Sequence, residues 1–436
     1  MSARVIGPWS AVALVVANMF GAGVFTISGF ALQDLGRPGL VMLAWLVGGL
    51  VAMAGALSYG ALGRRMPESG GEYTFLSETL HPMAGFVAGW ISLLAGFAAP
   101  IAASGLALSA YLGDALQRSL WPEWTATATI LMTGLMHGLR VRPGLVLQNV
   151  AVACKLLLVV VFLGLGIAWL PDRLDAAPAP SVAAPTFAAF ATSVVWISFA
   201  YSGWNAAIYV AGEIRDPARR LAPALVAATG VVTLIYLALN GVFLYSAPVV
   251  ALAGKADIGA AAAQALGGPG LRRFVSVLVA IALFSSISSM VMAASRVTAR
   301  MSNDGLLPGW MAPREGGAPG AAVVLQVALA LLLVWVSNLA EILGYAGFTL
   351  GLCAAATVAV LMTLHRREGR ERVPLPGYPW LPGAFVLTTV CSSAAMALHA
   401  PRSAMLGLLT VSASIPVYAW IRRRARRIAR RGAVSE

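Results

Sequence analysis

Long apolar runs recur along the whole chain and constrain its fold more than any other feature. Roughly twelve runs approach or exceed the length of about 20 residues that a helix needs to cross a bilayer. They lie approximately at residues 9–33, 38–62, 80–112, 124–139, 143–170, 186–212, 221–247, 271–299, 320–338, 341–364, 380–398 and 403–421. Because 59% of the 436 residues are hydrophobic and only 11% are charged, an ordinary soluble domain is excluded. The sequence predicts an all-α polytopic membrane protein with a single transmembrane domain over residues 1–436.

The positive charges gather on one side of the predicted membrane. If the amino terminus is cytoplasmic, the inner segments hold 22 of the 30 Lys and Arg residues and the outer segments hold seven. This asymmetry predicts that both termini are cytoplasmic, with a basic tail at residues 422–436. The tail is expected to anchor this topology, and contact with anionic lipid head groups is the alternative. Since topology accounts for the net charge of +13, no nucleic-acid partner is expected.

Two glycine-containing segments interrupt apolar runs at corresponding positions. Residues 18–24 (NMFGAGV) lie in the first run, and residues 199–205 (FAYSGWN) lie in the sixth. A helix opens at membrane depth only where protein, water or a ligand satisfies the freed main-chain groups. Because the two segments lie in the first and sixth runs, the predicted repeat unit is five spans. This odd number inverts the second unit relative to the first, as in secondary transporters. The predicted repeats cover about 9–170 and 186–364, and two extra helices cover about 380–421.

The two segments together suit a zwitterionic ligand. Gly21, Ala22 and Gly23 can turn their amides toward a carboxylate, and the half-helix that follows begins with the positive end of its dipole. Carbonyls of the second segment are acceptors for an ammonium group, namely those of Phe199, Ala200 and Ser202. An amino acid carries both charges and is the predicted ligand. The alternative is that the glycines only allow close helix packing.

Three motifs extend this pattern. Residues 199–205 are followed by 213–217 (EIRDP) and then by RLAP, residues 67–73 (PESGGEY) follow the second run, and 303–308 (NDGLLP) follow the eighth. With these motifs the chain resembles the amino acid-polyamine-organocation superfamily, and within it the bacterial permeases that are similar to L-amino acid transporters. The resemblance covers nearly the whole chain. It implies an inner-membrane carrier with the five-plus-five inverted-repeat fold, in which helices 1 and 6 are unwound.

The resemblance also implies roles for individual residues. The amides of Ala22 and Gly23 are expected to hold the substrate carboxylate. The carbonyls expected to receive the amino group are those of Met19, Phe199, Ala200 and Ser202. Trp204 and Asn205 follow the second glycine and are expected to complete the site, with ordinary core packing as the alternative. This chain departs from the family at Ala22, where relatives commonly have Gly, Ser or Thr, so only the main chain can contribute there.

Lys155 is the only Asp, Glu, Lys or Arg expected deep within an apolar run, because all 17 Asp and Glu are placed in loops or at run ends. An unpaired cation in a membrane costs on the order of 3 kcal/mol and is a functional candidate. Its expected partners are main-chain carbonyls near Met19 and the hydroxyl of Ser288 or Ser289. The resemblance implies that this lysine takes the place of the sodium ion of sodium-coupled relatives. We expect it to tether the first segment; proton coupling and snorkelling to an interface are the alternatives.

The predicted function is sodium-independent secondary transport of small or medium neutral L-amino acids, by exchange and alternating access. Proton-coupled symport or export is the alternative, and a channel or an intramembrane enzyme is a distant one. The sequence has no acid and base pair within the spans and no metal-type spacing of ligands, so no catalytic residue, metal or cofactor is expected. No acidic side chain is expected near the substrate. The lipid bilayer is the expected environment, and the oligomeric state stays open.

Overall fold

A computed structural model describes residues 7–68, 71–138, 157–166, 168, 185–303, 305–311 and 320–432. This part of the chain is mostly helical and contains no strand. The first α-helices are α1 (Pro8–Met19), α2 (Gly23–Leu35), α3 (Pro38–Arg65), α4 (Glu72–Thr79), α5 (Pro82–Ile91), α6 (Ala99–Leu116), α7 (Pro122–Gly138) and α8 (Leu157–Gly166). The later ones are α9 (Phe187–Ala200), α10 (Pro217–Tyr245), α11 (Val249–Leu252), α12 (Ile258–Asn303), α13 (Gly320–Val336), α14 (Leu339–Glu368), α15 (Trp380–His399) and α16 (Pro401–Gly432).

Seven helical segments of this described part are long and apolar enough to cross a membrane. They are Pro38–Arg65, Pro82–Leu116, Pro217–Tyr245, Ile258–Val291, Leu339–Glu368, Trp380–His399 and Pro401–Arg423. Three shorter apolar helices are α8, α9 and α13. Because a bilayer accepts only backbone whose polar groups are paired, such a set of apolar helices belongs to a multi-pass membrane protein.

Two of the long segments are irregular. A π-helical stretch, Ser92–Ala98, joins α5 to α6. Pro100 lies just beyond it and has no N–H for the carbonyl of residue 96, which favours a wider turn at that point. In α12 the helix bends at Gly268, where φ is 73°, immediately before Pro269. α16 contains Pro416 and continues from the last apolar run into the arginine-rich segment.

The first glycine segment interrupts its helix, as the sequence predicts. α1 ends at Met19 and α2 begins at Gly23. The three residues between them, 20–22, are the first break. The Gly21 amide turns back and donates to the Met19 carbonyl at 2.9 Å instead of continuing the helical ladder.

The second glycine segment interrupts its helix as well. α9 ends at Ala200, residues 201–205 form turns, and a 3₁₀-helix covers Ala206–Glu213. The five turn residues are the second break. Gly203 has a φ of 98°, which glycine adopts without the steric penalty that other residues incur. An interruption is therefore present at each of the two glycine segments that the sequence singles out.

The two breaks lie against each other and run in opposite directions. A Cβ atom on Gly23 would lie 2.7 Å from the Cβ of Ala200. A Cβ atom on Gly203 would lie 2.9 Å from the main-chain carbonyl of Asn18. The last turn of α1 thus contacts the second break, and the residue after the first break contacts the end of α9. Glycine is required at both contacts because the two main chains approach too closely for a larger residue.

Candidate substrate site

The first break presents amides at the start of α2. The Ala22 amide has no acceptor in the described part of the chain, and Gly23 opens α2, where an amide has no partner within its own helix. Gly21 borders open space, since a Cβ atom built on it would meet nothing within 4 Å. Its own amide, however, is used by the bond to Met19. Two of the three amides predicted to bind a carboxylate are therefore available, beside the positive end of the α2 dipole.

The carbonyls predicted to bind an ammonium group are partly occupied. The Met19 carbonyl accepts a hydrogen bond from the Tyr236 hydroxyl at 2.5 Å, and the same hydroxyl lies 3.4 Å from the Ala200 carbonyl. The Phe199 carbonyl accepts from the Ser202 amide at 2.9 Å. No main-chain donor from the described residues reaches the Ser202 carbonyl. The Met19 carbonyl also accepts from the Gly21 amide, and the Phe199 carbonyl also accepts from the Tyr201 amide. Since a carbonyl oxygen has two lone pairs, the Ala200 and Ser202 carbonyls are the ones that keep a position for a ligand ammonium.

Tyr236 of α10 joins the two breaks, and the sequence analysis missed it. Its hydroxyl contacts the carbonyls of the residues immediately before the two breaks, and its ring packs against three other aromatic rings. The ring centroids lie 5.3 Å from Phe20, 5.4 Å from Trp45 and 5.2 Å from Tyr201. The available signal was a tyrosine inside an apolar run, because its hydroxyl must find an acceptor at membrane depth.

Trp204 and Asn205 contact α3, α4 and α15. The Trp204 ring is 8% exposed and lies 4.7 Å from the Tyr59 ring and 6.4 Å from the Phe385 ring. The Asn205 side-chain amide donates to the Glu72 carboxylate at 2.6 Å. These contacts are packing and hydrogen bonding between protein elements. A direct role of either side chain in substrate binding stays a prediction.

Glu72 is a buried acidic residue that the sequence did not single out. It opens α4, yet it is only 6% exposed. It also bonds to Asn205, so an acidic side chain does lie next to the second break. The reason is local geometry: Gly71 has a φ of 61°, which turns the chain so that α4 packs against α5. The sequence places the surrounding PESGGEY in the loop after the second apolar run and does not indicate that Glu72 is buried.

Lys155 lies outside the described residues, so its tethering role stays a prediction. Of its two predicted hydroxyl partners on α12, Ser288 is buried and Ser289 is half-buried. The Ser288 hydroxyl lies 2.8 Å from Nε2 of His137 on α7. This contact joins the last turn of α7 to α12.

A cavity of about 630 Å³ lies between the ends of α2, α6, α12 and α14. The positive-inside asymmetry predicts that these ends face outward. Its charged lining includes Asp114, Asp257 and Arg272. Arg272 donates to Asp114 at 2.5 Å and lies 3.4 Å from Asp257. Burial raises the pKa of the Asp257 carboxyl above its ordinary value, although Arg272 acts in the opposite direction. No residue of either break lines this cavity.

Comparison with known proteins identifies the family of this chain. A family model described as amino acid permease matches residues 6–422. The serine/threonine exchanger of Bacillus subtilis is 26% identical over 435 residues, which cover 96% of this chain and 97% of that protein. The human large neutral amino acids transporter small subunit 2 is 27% identical over 387 residues, or 85% of this chain and 71% of that protein. Human Asc-type amino acid transporter 1 is 25% identical over 426 residues, or 95% and 81%. Since the family model spans nearly the whole sequence, the chain belongs to the amino acid permease family.

Proposed function

We propose that this protein is a sodium-independent secondary transporter that exchanges small or medium neutral L-amino acids across the membrane. The antiparallel approach of the two breaks carries this proposal. It places open amides at the start of α2 close to the main-chain carbonyls at the end of α9. A carboxylate and an ammonium group on one carbon atom match these two sets of groups, whatever the side chain. The relatives reported above, by their names, transport or exchange amino acids.

The architecture we propose has about twelve spans, of which the first ten form a five-plus-five inverted repeat. The opposite directions of the two breaks support inversion, because five intervening connections reverse the second unit. The positive-inside asymmetry supports cytoplasmic termini and an inner-membrane location. In this arrangement α1, α2, α9 and the 3₁₀-helix rock with their neighbours against the remaining helices, so that the site opens alternately to the two faces.

Sodium independence rests on Lys155. A fixed lysine cation near the first break supplies the positive charge that a bound sodium ion supplies in sodium-coupled carriers. The lysine stays charged throughout the transport cycle, so that no proton crosses the membrane with the substrate. If the lysine instead loses its proton in one state, transport becomes coupled to a pH gradient.

Counterflow in proteoliposomes tests the function. Vesicles containing the purified protein are loaded with each of the twenty unlabelled amino acids, and uptake of the labelled compound is followed. We expect uptake that requires internal amino acid and is unchanged when sodium is replaced by choline or when a pH gradient is collapsed. Sodium-dependent uptake, or uptake driven by the pH gradient into empty vesicles, would contradict the proposal. Uptake without acceleration by internal substrate would indicate a pore.

A further inference from the structure

Glu72 forms the centre of a buried hydrogen-bond cluster next to the second break. Its Oε1 accepts from the Asn205 side-chain amide at 2.6 Å and from the Tyr59 hydroxyl at 3.0 Å. Its Oε2 accepts from the Tyr209 hydroxyl at 2.6 Å. No Lys, Arg or His among the described residues forms an ion pair with it within 4.0 Å. Three neutral donors therefore hold the carboxylate.

Burying the Glu72 carboxylate costs free energy unless every donor stays in place. A buried carboxylate in low dielectric requires hydrogen bonds to replace its lost hydration. All three contacting groups donate to the carboxylate, which suits its ionised form. Losing Tyr209, which follows the second break, would leave Oε2 without a described partner. The cluster thus favours one relative position of the elements that contribute to it.

The carboxylate and its donors come from two differently packed parts of the molecule. Glu72 belongs to α4, which packs against α5 and α14. The contact with α5 is close, since a Cβ atom on Gly85 would lie 2.6 Å from the Tyr73 carbonyl. The donors belong instead to α3, which packs against α9 and α10, and to the segment after the second break. Gly71 lets these parts meet, because a Cβ atom there would lie 2.3 Å from the Tyr209 ring.

We propose that Glu72 is a latch that holds the segment after the second break closed on the cytoplasmic side, and that it must release each time the site opens inward. This inference rests on the proposed function, in which the broken helices rock against the rest of the molecule. Movement of Ala206–Glu213 relative to α4 stretches the bonds from Asn205 and Tyr209 to the carboxylate. Their strength therefore sets the equilibrium between the state closed to the cytoplasm and the state open to it.

The direct test weakens the latch without changing its shape. Glu72→Gln keeps the side-chain volume but removes the charge, and Tyr209→Phe removes one donor from the moving segment. Apparent KM for a transported amino acid is measured at each face, in right-side-out and inverted membrane vesicles from the same cells. We expect the ratio of cytoplasmic to outer KM to fall about tenfold in each variant, the change expected for a weakened hydrogen bond to a charged group.

Tyr345→Phe is the matched control. It removes another buried tyrosine hydroxyl, which lies 3.1 Å from the Thr410 hydroxyl and joins α14 to α16 away from both breaks. Its ratio of cytoplasmic to outer KM is expected to stay within about twofold of the wild-type ratio, because the substitution changes no contact of Glu72. If all three variants lower the maximal rate alike and leave the ratio unchanged, Glu72 has only a structural role and the latch is overturned.

The double variant Glu72→Gln/Tyr209→Phe decides whether the two residues act through one contact. We expect its effect on the KM ratio to be smaller than the product of the single effects, because the second change removes a bond that the first has already weakened. If Glu72→Gln does not reach the membrane, Tyr209→Phe decides alone. If the wild type exchanges amino acids but Tyr209→Phe keeps the wild-type ratio, the latch fails while the proposed function stands. A wild type without exchange overturns the proposed function itself.

Discussion

The two breaks differ in how they are held. The first break is three residues long, returns at once to a regular α-helix, and leaves Gly21 beside open space. The second is five residues long and continues as a 3₁₀-helix. Its glycine is wedged against the main chain of Asn18, and the side chain at its end is bonded to Glu72. The first break is thus suited to receive a ligand, whereas the second is suited to pass movement on to the rest of the molecule.

Replacing Lys155, the expected tether of the first break, gives the largest expected effect on the rate of exchange. If this lysine tethers the opened helix, Lys155→Ala should lower exchange in proteoliposomes by about a hundredfold, since each lost hydrogen bond to a charged group costs about 1.5–3 kcal/mol. The protein should still elute as a folded species in detergent. Wild-type exchange by the variant would remove the tether from the account.

Gly203→Ala tests the tight contact of the second break. The new Cβ atom would clash with the Asn18 main chain and would also occupy a conformation with a φ of 98°. Left-handed strain of about 1–2 kcal/mol and overpacking of about 1–3 kcal/mol together predict a loss of roughly 3 kcal/mol in unfolding free energy. Thermal unfolding in detergent, followed by tryptophan fluorescence, measures this loss.

Gly21→Ala is the control for that substitution at the first break. It makes the same chemical change at a position where a Cβ atom meets nothing within 4 Å and where φ is not in the left-handed region. Its unfolding free energy should stay within about 0.5 kcal/mol of the wild type. Equal destabilisation by the two alanines would contradict the difference drawn between the breaks.

Tyr236→Phe gives a smaller effect because it removes one hydrogen bond and leaves the ring in place. The Met19 carbonyl then keeps only the Gly21 amide as a donor. We expect a loss of about 1 kcal/mol in stability, the usual net value of a buried hydrogen bond, and an altered apparent KM for substrate. A variant with unchanged KM and unchanged melting temperature would show that the bond between α10 and the first break is unimportant.

The positions of both breaks could be predicted from the sequence, because glycine within an apolar run is a local signal and its consequence is local. Their tertiary environment could not. Tyr236 and Glu72 are 217 and 133 positions from Met19 and Asn205, the residues they contact. Nothing near Glu72 in the sequence distinguishes a solvated loop from a buried turn. The same holds for the contacts of Trp204 with α3 and α15, which the sequence did not indicate.

The central claim is that main-chain groups of the two breaks bind the carboxylate and the ammonium group of one amino acid. Competition against counterflow by three compounds that share one side chain tests it most directly: the amino acid, its methyl ester and its N-acetyl derivative. Loss of either charge removes a charge-assisted set of hydrogen bonds, so each derivative should compete about a hundredfold less well than the parent amino acid. If either derivative competes as well as the amino acid, the breaks do not bind the zwitterion and the account is wrong.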